Sequence, residues 1–78
     1  MARYFFHVVD DVVAADDEGM EFADAASARL HAVKCARELM CDQLRQGRLH
    51  LGHRIEIEDS VGAPVMRVHF AEVVAIRD

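Results

Sequence analysis

Arg3-Tyr4-Phe5-Phe6-His7-Val8-Val9 decides how this chain is read. Three of its five aromatic residues stand side by side here, followed by paired valines. Aromatic and β-branched side chains suit a pleated, half-buried surface, so the stretch predicts a strand over residues 3–9. Tyr4, Phe6 and Val8 then share one face, and Phe5, His7 and Val9 the other. Both faces are largely apolar, the pattern of a central strand or of a strand whose outer face meets a partner. Phe5 and His7 are therefore candidate interface residues.

Working outward, Asp10-Asp11 predicts a turn into a short second strand near residues 12–14, because Asp side chains bond to nearby backbone. The acidic run Asp16-Asp17-Glu18 reads as a solvated turn, and Gly19 after it as a position needing positive φ. Met20 and Phe22 alternate with Glu21 and are expected to seal the bottom of the core. Residues 25–46 contain no Gly or Pro and are rich in Ala, Leu, Arg and Glu, which favours a helix. Asp24 or Ser27 can cap its N-terminus, with Asp24 preferred. Gly47 suits the position that ends it, with Arg45 and Arg48 at the negative end of the dipole.

Residues 53–58 alternate, with His53, Ile55 and Ile57 against Arg54, Glu56 and Glu58. Gly62 and Pro64 then predict a turn. Residues 65–70 alternate again, with Met66, Val68 and Phe70 inward and Val65, Arg67 and His69 outward. The two segments predict an antiparallel hairpin whose outer Glu and Arg residues pair across strands. Residues 71–76 read as an apolar tail that adds an edge strand or crosses to a partner. The whole predicts an α+β fold of one domain, residues 1–78, in the order β-β-α-β-β. It is a small antiparallel sheet with one long helix packed on one face.

At 100° per residue, the helix carries an apolar arc of about 220°, whereas one sheet needs only about 100–140°. Ala28, Ala32, Cys35 and Leu39 form one margin of that arc. Their mostly small side chains permit close approach. Either a second subunit or the C-terminal tail covers this margin, and on the first reading Ala28, Ala32, Cys35 and Leu39 join the candidate interface. Size favours a partner, since a 78-residue chain buries only about 60–65% of its unfolded surface. The apolar share of 53% points the same way. A homodimer is the expectation.

Cys35 and Cys41 lie six positions apart on the predicted helix, about 9 Å of rise, beyond the roughly 7 Å that a disulfide tolerates. Free thiols suit a reducing cytosol. The first residues have no secretory pattern, and no apolar run approaches the roughly 18 residues that span a bilayer. The expectation is a cytoplasmic chain with no membrane partner.

Net charge is −5, unevenly spread. Residues 1–28 carry Arg3 against seven acids, residues 29–54 six Lys/Arg against Glu38 and Asp42, and residues 55–78 two Arg against five acids. The acidic front disfavours non-specific binding to nucleic acid. Arg45, Arg48 and Arg54, with His50 and His53, form the one basic cluster. The three arginines are candidate anion contacts. His50 and His53 stand three apart, as paired metal ligands do, but a zinc site takes three or four ligands. They support only an alternative reading of metal or small-ligand binding. No Walker loop, dinucleotide fingerprint or nucleophile elbow is present, and no acid–base set assembles. The chain is not expected to be an enzyme or to need a cofactor.

The Arg3-Tyr4-Phe5-Phe6-His7-Val8 opening, the Asp17-Glu18-Gly19-Met20-Glu21-Phe22 segment and the Ala/Arg/Leu-rich helix resemble a family of short alphaproteobacterial proteins. That family is frequent in rhizobia and is known only as a domain of unknown function. The likeness covers nearly the whole chain. It departs after the first strand, where family members often have Asp-Gly and this chain has Asp10-Asp11. The family has no assigned catalytic residues, so the resemblance implies a fold and no chemistry. The strand-strand, acidic Gly turn and Ala-rich helix also look, at fold level only, like the N-terminal domain of HicB-type antitoxins. That supplies an alternative role as an antitoxin-like or nucleic-acid-linked regulator. The leading expectation is a non-catalytic interaction or regulatory module.

Overall fold

The computed structural model describes all 78 residues. The first strand, β1, spans Ala2–Val9. Two short strands follow, β2 at Val13–Ala14 and β3 at Met20–Phe22, and then one helix, α1, at Ala25–Arg45. Strands β4, Arg54–Glu58, and β5, Pro64–His69, form the predicted hairpin, and a 3-10 turn covers Phe70–Glu72. All strands pair antiparallel in the order β2-β1-β4-β5, with β3 also on β1. The helix lies across one face. The β-β-α-β-β order thus fits, with the three residues of β3 as an added strand.

β1 is central because both its edges are used. One edge pairs with β4 along residues 5–9. The other is shared, with Ala2, Arg3 and Tyr4 on β3 and Val8 and Val9 on β2. Alternation holds as predicted. Tyr4 is buried and Phe6 and Val8 pack on the core, while Ile55, Ile57, Val68 and Phe70 are almost wholly enclosed. Phe22 seals the lower end, its ring 5.8 Å from that of Phe6 and 6.4 Å from that of Tyr4. Met20 does not share this role. It stands at the sheet margin and is 46% exposed.

Asp24 caps α1, its carboxylate accepting from the Ser27 amide at 2.8 Å. The far end closes as Gly47, at φ 83°, donates to the Leu44 carbonyl. The helix is rotated from the expected setting. Ala28, Ala32 and Ala36 are fully enclosed within the single chain, and Cys35 and Leu39 pack against the same core. The small-residue margin therefore faces the sheet, where alanines let the backbones approach. Ala28 and Ala32 offer no surface to a partner, which corrects their place among candidate interface residues. The opposite flank is left outside, with Leu30 69% and Leu44 59% exposed.

The expected edge strand of the tail is also corrected. Residues 71–76 form no strand. After the 3-10 turn, Val73 drops into the core and its carbonyl accepts from Arg37 Nε at 3.0 Å. The tail thus runs along the Arg37–Met40–Leu44 side of α1, away from the Ala28 margin.

Gly19 has φ 71°, and a Cβ there would lie 2.8 Å from the Tyr4 carbonyl oxygen and 2.9 Å from the Phe5 ring. Gly62 has φ 81° but open space around it. Left-handed backbone costs a non-glycine residue about 1–2 kcal/mol, and a backbone clash adds about 1–3. Urea unfolding is expected to show Gly19→Ala losing about 3 kcal/mol and Gly62→Ala about 1. Equal losses would contradict the close approach at Gly19.

Candidate functional site

The outer face of the sheet, opposite α1, carries a connected polar array centred on His7. Asp16 lies in the stretch that leaves β2 and returns as β3. This stretch bows away from β1 and leaves the middle of that edge without a strand. Asp16 fills the gap. Its Oδ2 accepts from the Phe6 amide at 3.1 Å, and its Oδ1 accepts from the amides of Glu18 and Gly19, each at 3.1 Å. One carboxylate thus replaces a missing piece of sheet and closes the turn behind it.

The Asp16 amide in turn donates to His7 Nδ1 at 3.0 Å. That bond leaves Nδ1 unprotonated, so the neutral ring carries its proton on Nε2 and donates to Glu58 Oε1 at 3.0 Å. Both ring nitrogens are partnered, and the side chain is 17% exposed. Beside it, Glu56 accepts from Arg54 Nε at 2.9 Å and lies 3.4 Å from Arg67 Nε. Glu56 and Arg67 are register partners, which fulfils the predicted cross-strand pairing.

Burial pushes the Asp16 carboxyl up, but the amides of Gly19, Phe6 and Glu18 and the nearby His7 together outweigh it. Its pKa lies below the ordinary 3.8. The bond from Arg54 likewise holds Glu56 below the ordinary carboxylate range. Burial raises the Cys35 thiol, with Glu38 adding to the effect. Cys35 Sγ lies 3.4 Å from His31 Nε2, one turn earlier. A thiol held protonated is a poor nucleophile.

The basic cluster read from the sequence is not one patch. Arg45 pairs with Asp42 at 3.0 Å on the end of α1, and Arg48 is exposed just beyond it. Arg54 points from the outer face of the sheet and is tied to Glu56. Helix and outer face lie on opposite sides of the sheet, so Arg54 does not converge with Arg45 and Arg48. His50 and His53 do meet, but as stacked rings, 4.5 Å between centroids and 6° between planes. A metal lies near the plane of each ligating imidazole, and two separated parallel planes share no such point. No group of three or more His, Cys, Asp and Glu is positioned to hold a metal. Gln43 binds this loop to the helix, with Oε1 accepting from the His50 amide at 3.1 Å and Nε2 3.3 Å from His53 Nδ1.

A second feature lies on the helix side of the molecule. The C-terminal half of α1, Leu49 and the tail enclose a groove of about 370 Å³. Met40, Cys41, Leu44, Leu49, Val74 and Ile76 line it, with Arg37 as the one charged residue. Sequence reading missed both features as sites. The excess apolar arc of the helix signalled the groove. Asp16 was hidden inside a run of acids, all of which look solvated.

Residues 3–71 match the model of a family described as Domain of unknown function (DUF6894). No curated protein and no solved structure matches the chain.

Asp16→Ala leaves three amides without their acceptor, and a part-buried orphan costs about 1–3 kcal/mol. Urea unfolding at neutral pH is expected to show a loss of about 2–3 kcal/mol. Asp16→Asn keeps an acceptor and tests the charge. Because the folded pKa is depressed, the charge stabilises fully above the unfolded value near 3.8. That contribution is lost as pH falls through the lower folded value. The gap in stability between the wild type and Asp16→Asn should therefore be constant above pH 5 and close below about 3.8. A gap that does not change with pH would contradict the assignment.

Proposed function

We propose for this protein, which belongs to the DUF6894 family, a role exercised through contacts rather than chemistry. It is a non-catalytic interaction or regulatory module that acts as a homodimer.

The observation that supports this reading is a surplus of surface. A folded monomer of 8.8 kDa exposes about 4,800 Å² by the general scaling with mass. This chain exposes 5329 Å², about 500 Å² more. Only 11 of its 78 residues are buried, so the core that must hold the fold is small. The shape agrees. The radius of gyration is 12.8 Å, against about 11.5 Å for a compact chain of this length. A sheet with one helix makes a slab, 40 × 25 × 16 Å, with one sheet face uncovered.

The chemistry of the polar groups favours contacts too. The His7 array is saturated by its own neighbours, and Cys35 is held as a thiol. With Arg54 apart from Arg45 and Arg48, the arginines give little support to an antitoxin-like or nucleic-acid-linked regulator. No helix is long and apolar enough to cross a membrane. Cys35 and Cys41 are both free thiols, which supports a reducing, cytoplasmic setting.

Native mass spectrometry and sedimentation of the untagged chain across the micromolar range test the proposal. The expected species has twice the 8.8 kDa chain mass. A monomer at every concentration would overturn the homodimer, and a species carrying a metal or small-ligand mass would overturn the reading as a pure contact module.

A further inference from the structure

The homodimer reading leaves open which surface the copies share. Resting on that reading, we propose that the second copy seats on the apolar groove between the C-terminal half of α1 and the tail.

The groove is built from both ends of the chain's second half. Met40, Cys41 and Leu44 line it from α1, Leu49 from just beyond the helix end, and Val74 and Ile76 from the tail. Leu44 is 59% and Ile76 73% exposed, so α1 and the tail both present large apolar side chains to solvent. Exposed apolar side chains are unremarkable singly, but a contiguous set lining one concavity marks a contact site.

The lining argues against a small polar ligand. Such sites place a few polar groups to orient what they bind. Arg37 is the one charged residue here, and its Nε is already donated to the Val73 carbonyl. Nor does the groove attract a partner by a single sign of charge. Arg45 and Asp42 are paired to each other on the adjoining turn of α1, and Arg77 and Asp78 follow Ile76 directly. A surface with an apolar centre and both signs beside it is complementary to itself. An isologous two-fold contact requires that property.

Area sets the scale. The surplus of about 500 Å² is close to what one chain contributes to an interface at the small end of the stable range, about 600 Å² a side. The surplus belongs to the whole chain, and the exposed Leu44 and Ile76 are part of it. An interface of this size is held by a few central side chains, so truncating or charging one of them has a large effect. Leu44 and Ile76 are those side chains. The outer sheet face is the competing surface. Its centre is polar, with Glu56 beside Arg54 and Arg67 and Glu58 beside His7, so it lacks the contiguous apolar lining of the groove.

The test uses sedimentation equilibrium of the full chain and three single variants. Leu44→Glu and Ile76→Glu place charges on α1 and the tail at positions exposed in the single chain, so folding, checked by circular dichroism, is kept. Val61→Glu, in the 85% exposed turn between β4 and β5, is the control. Each groove variant is expected to raise the dimer dissociation constant about tenfold or more, with Val61→Glu unchanged. Cys41 supplies an independent readout, since it lines the groove and is exposed in the single chain. Its alkylation by iodoacetamide should slow as wild-type concentration rises through the dissociation constant, and should be independent of concentration in Leu44→Glu. A wild-type dimer that tolerates both groove variants, with Cys41 reacting at one rate throughout, would place the interface elsewhere and overturn this inference alone. A wild-type monomer would overturn it together with the homodimer reading.

Discussion

The structure depends on one strand having both edges occupied. β1 holds β4 on one side, and on the other it holds two short strands that cannot meet. Backbone amides buried without partners are costly, so the gap between β2 and β3 has to be filled. The Asp16 carboxylate fills it, bonding the Phe6 amide on β1 and the two amides of its own turn. From that point the chain can reverse at Gly19 and lay Phe22 against Tyr4 and Phe6. The aromatic cluster then meets His31 on α1, with the Phe6 and His31 rings 4.9 Å apart, which fixes the helix on the sheet.

Much of this was legible in the sequence, for identifiable reasons. Period-two alternation named the inward residues of β4 and β5, because a buried face and a solvated face demand different chemistry, and for β1 it gave the two faces without saying which is buried. Asp24 and Gly47 named the ends of α1, because a helix terminus needs an acceptor at one end and a left-handed residue at the other. The rotation of α1 was not legible. Its apolar arc is wider than one sheet requires, and hydrophobicity alone does not say which part is covered. Close packing decided it, since Ala28, Ala32 and Ala36 let the helix approach the sheet while Leu30 and Leu44 would hold it away. Asp16 was hidden for a different reason. An acid between Ala15 and Asp17 looks solvated, and only the paths of β2 and β3 show that it faces an unpaired amide. Pairing of β3 depends on only three residues, too few for a periodicity to declare itself.

The same geometry separates the two faces in chemistry. Polar groups on the outer sheet face are consumed in holding the edge and cross-strand pairs, so that side is a closed network. Apolar surface is left over on the helix side, where the tail folds beside α1 instead of extending the sheet. The correction of the interface residues follows directly. Small residues went to the intramolecular contact, and the larger Leu44 and Ile76 stay exposed.

Native-state amide hydrogen exchange tests the central claim most directly, because it reports each strand's opening separately. If β1 is held on both edges, the Phe6 amide exchanges only with global unfolding, at the same free energy as amides of Ile55 and Ile57. A Phe6 amide that exchanges through a smaller, local opening while β4 stays protected would contradict the account.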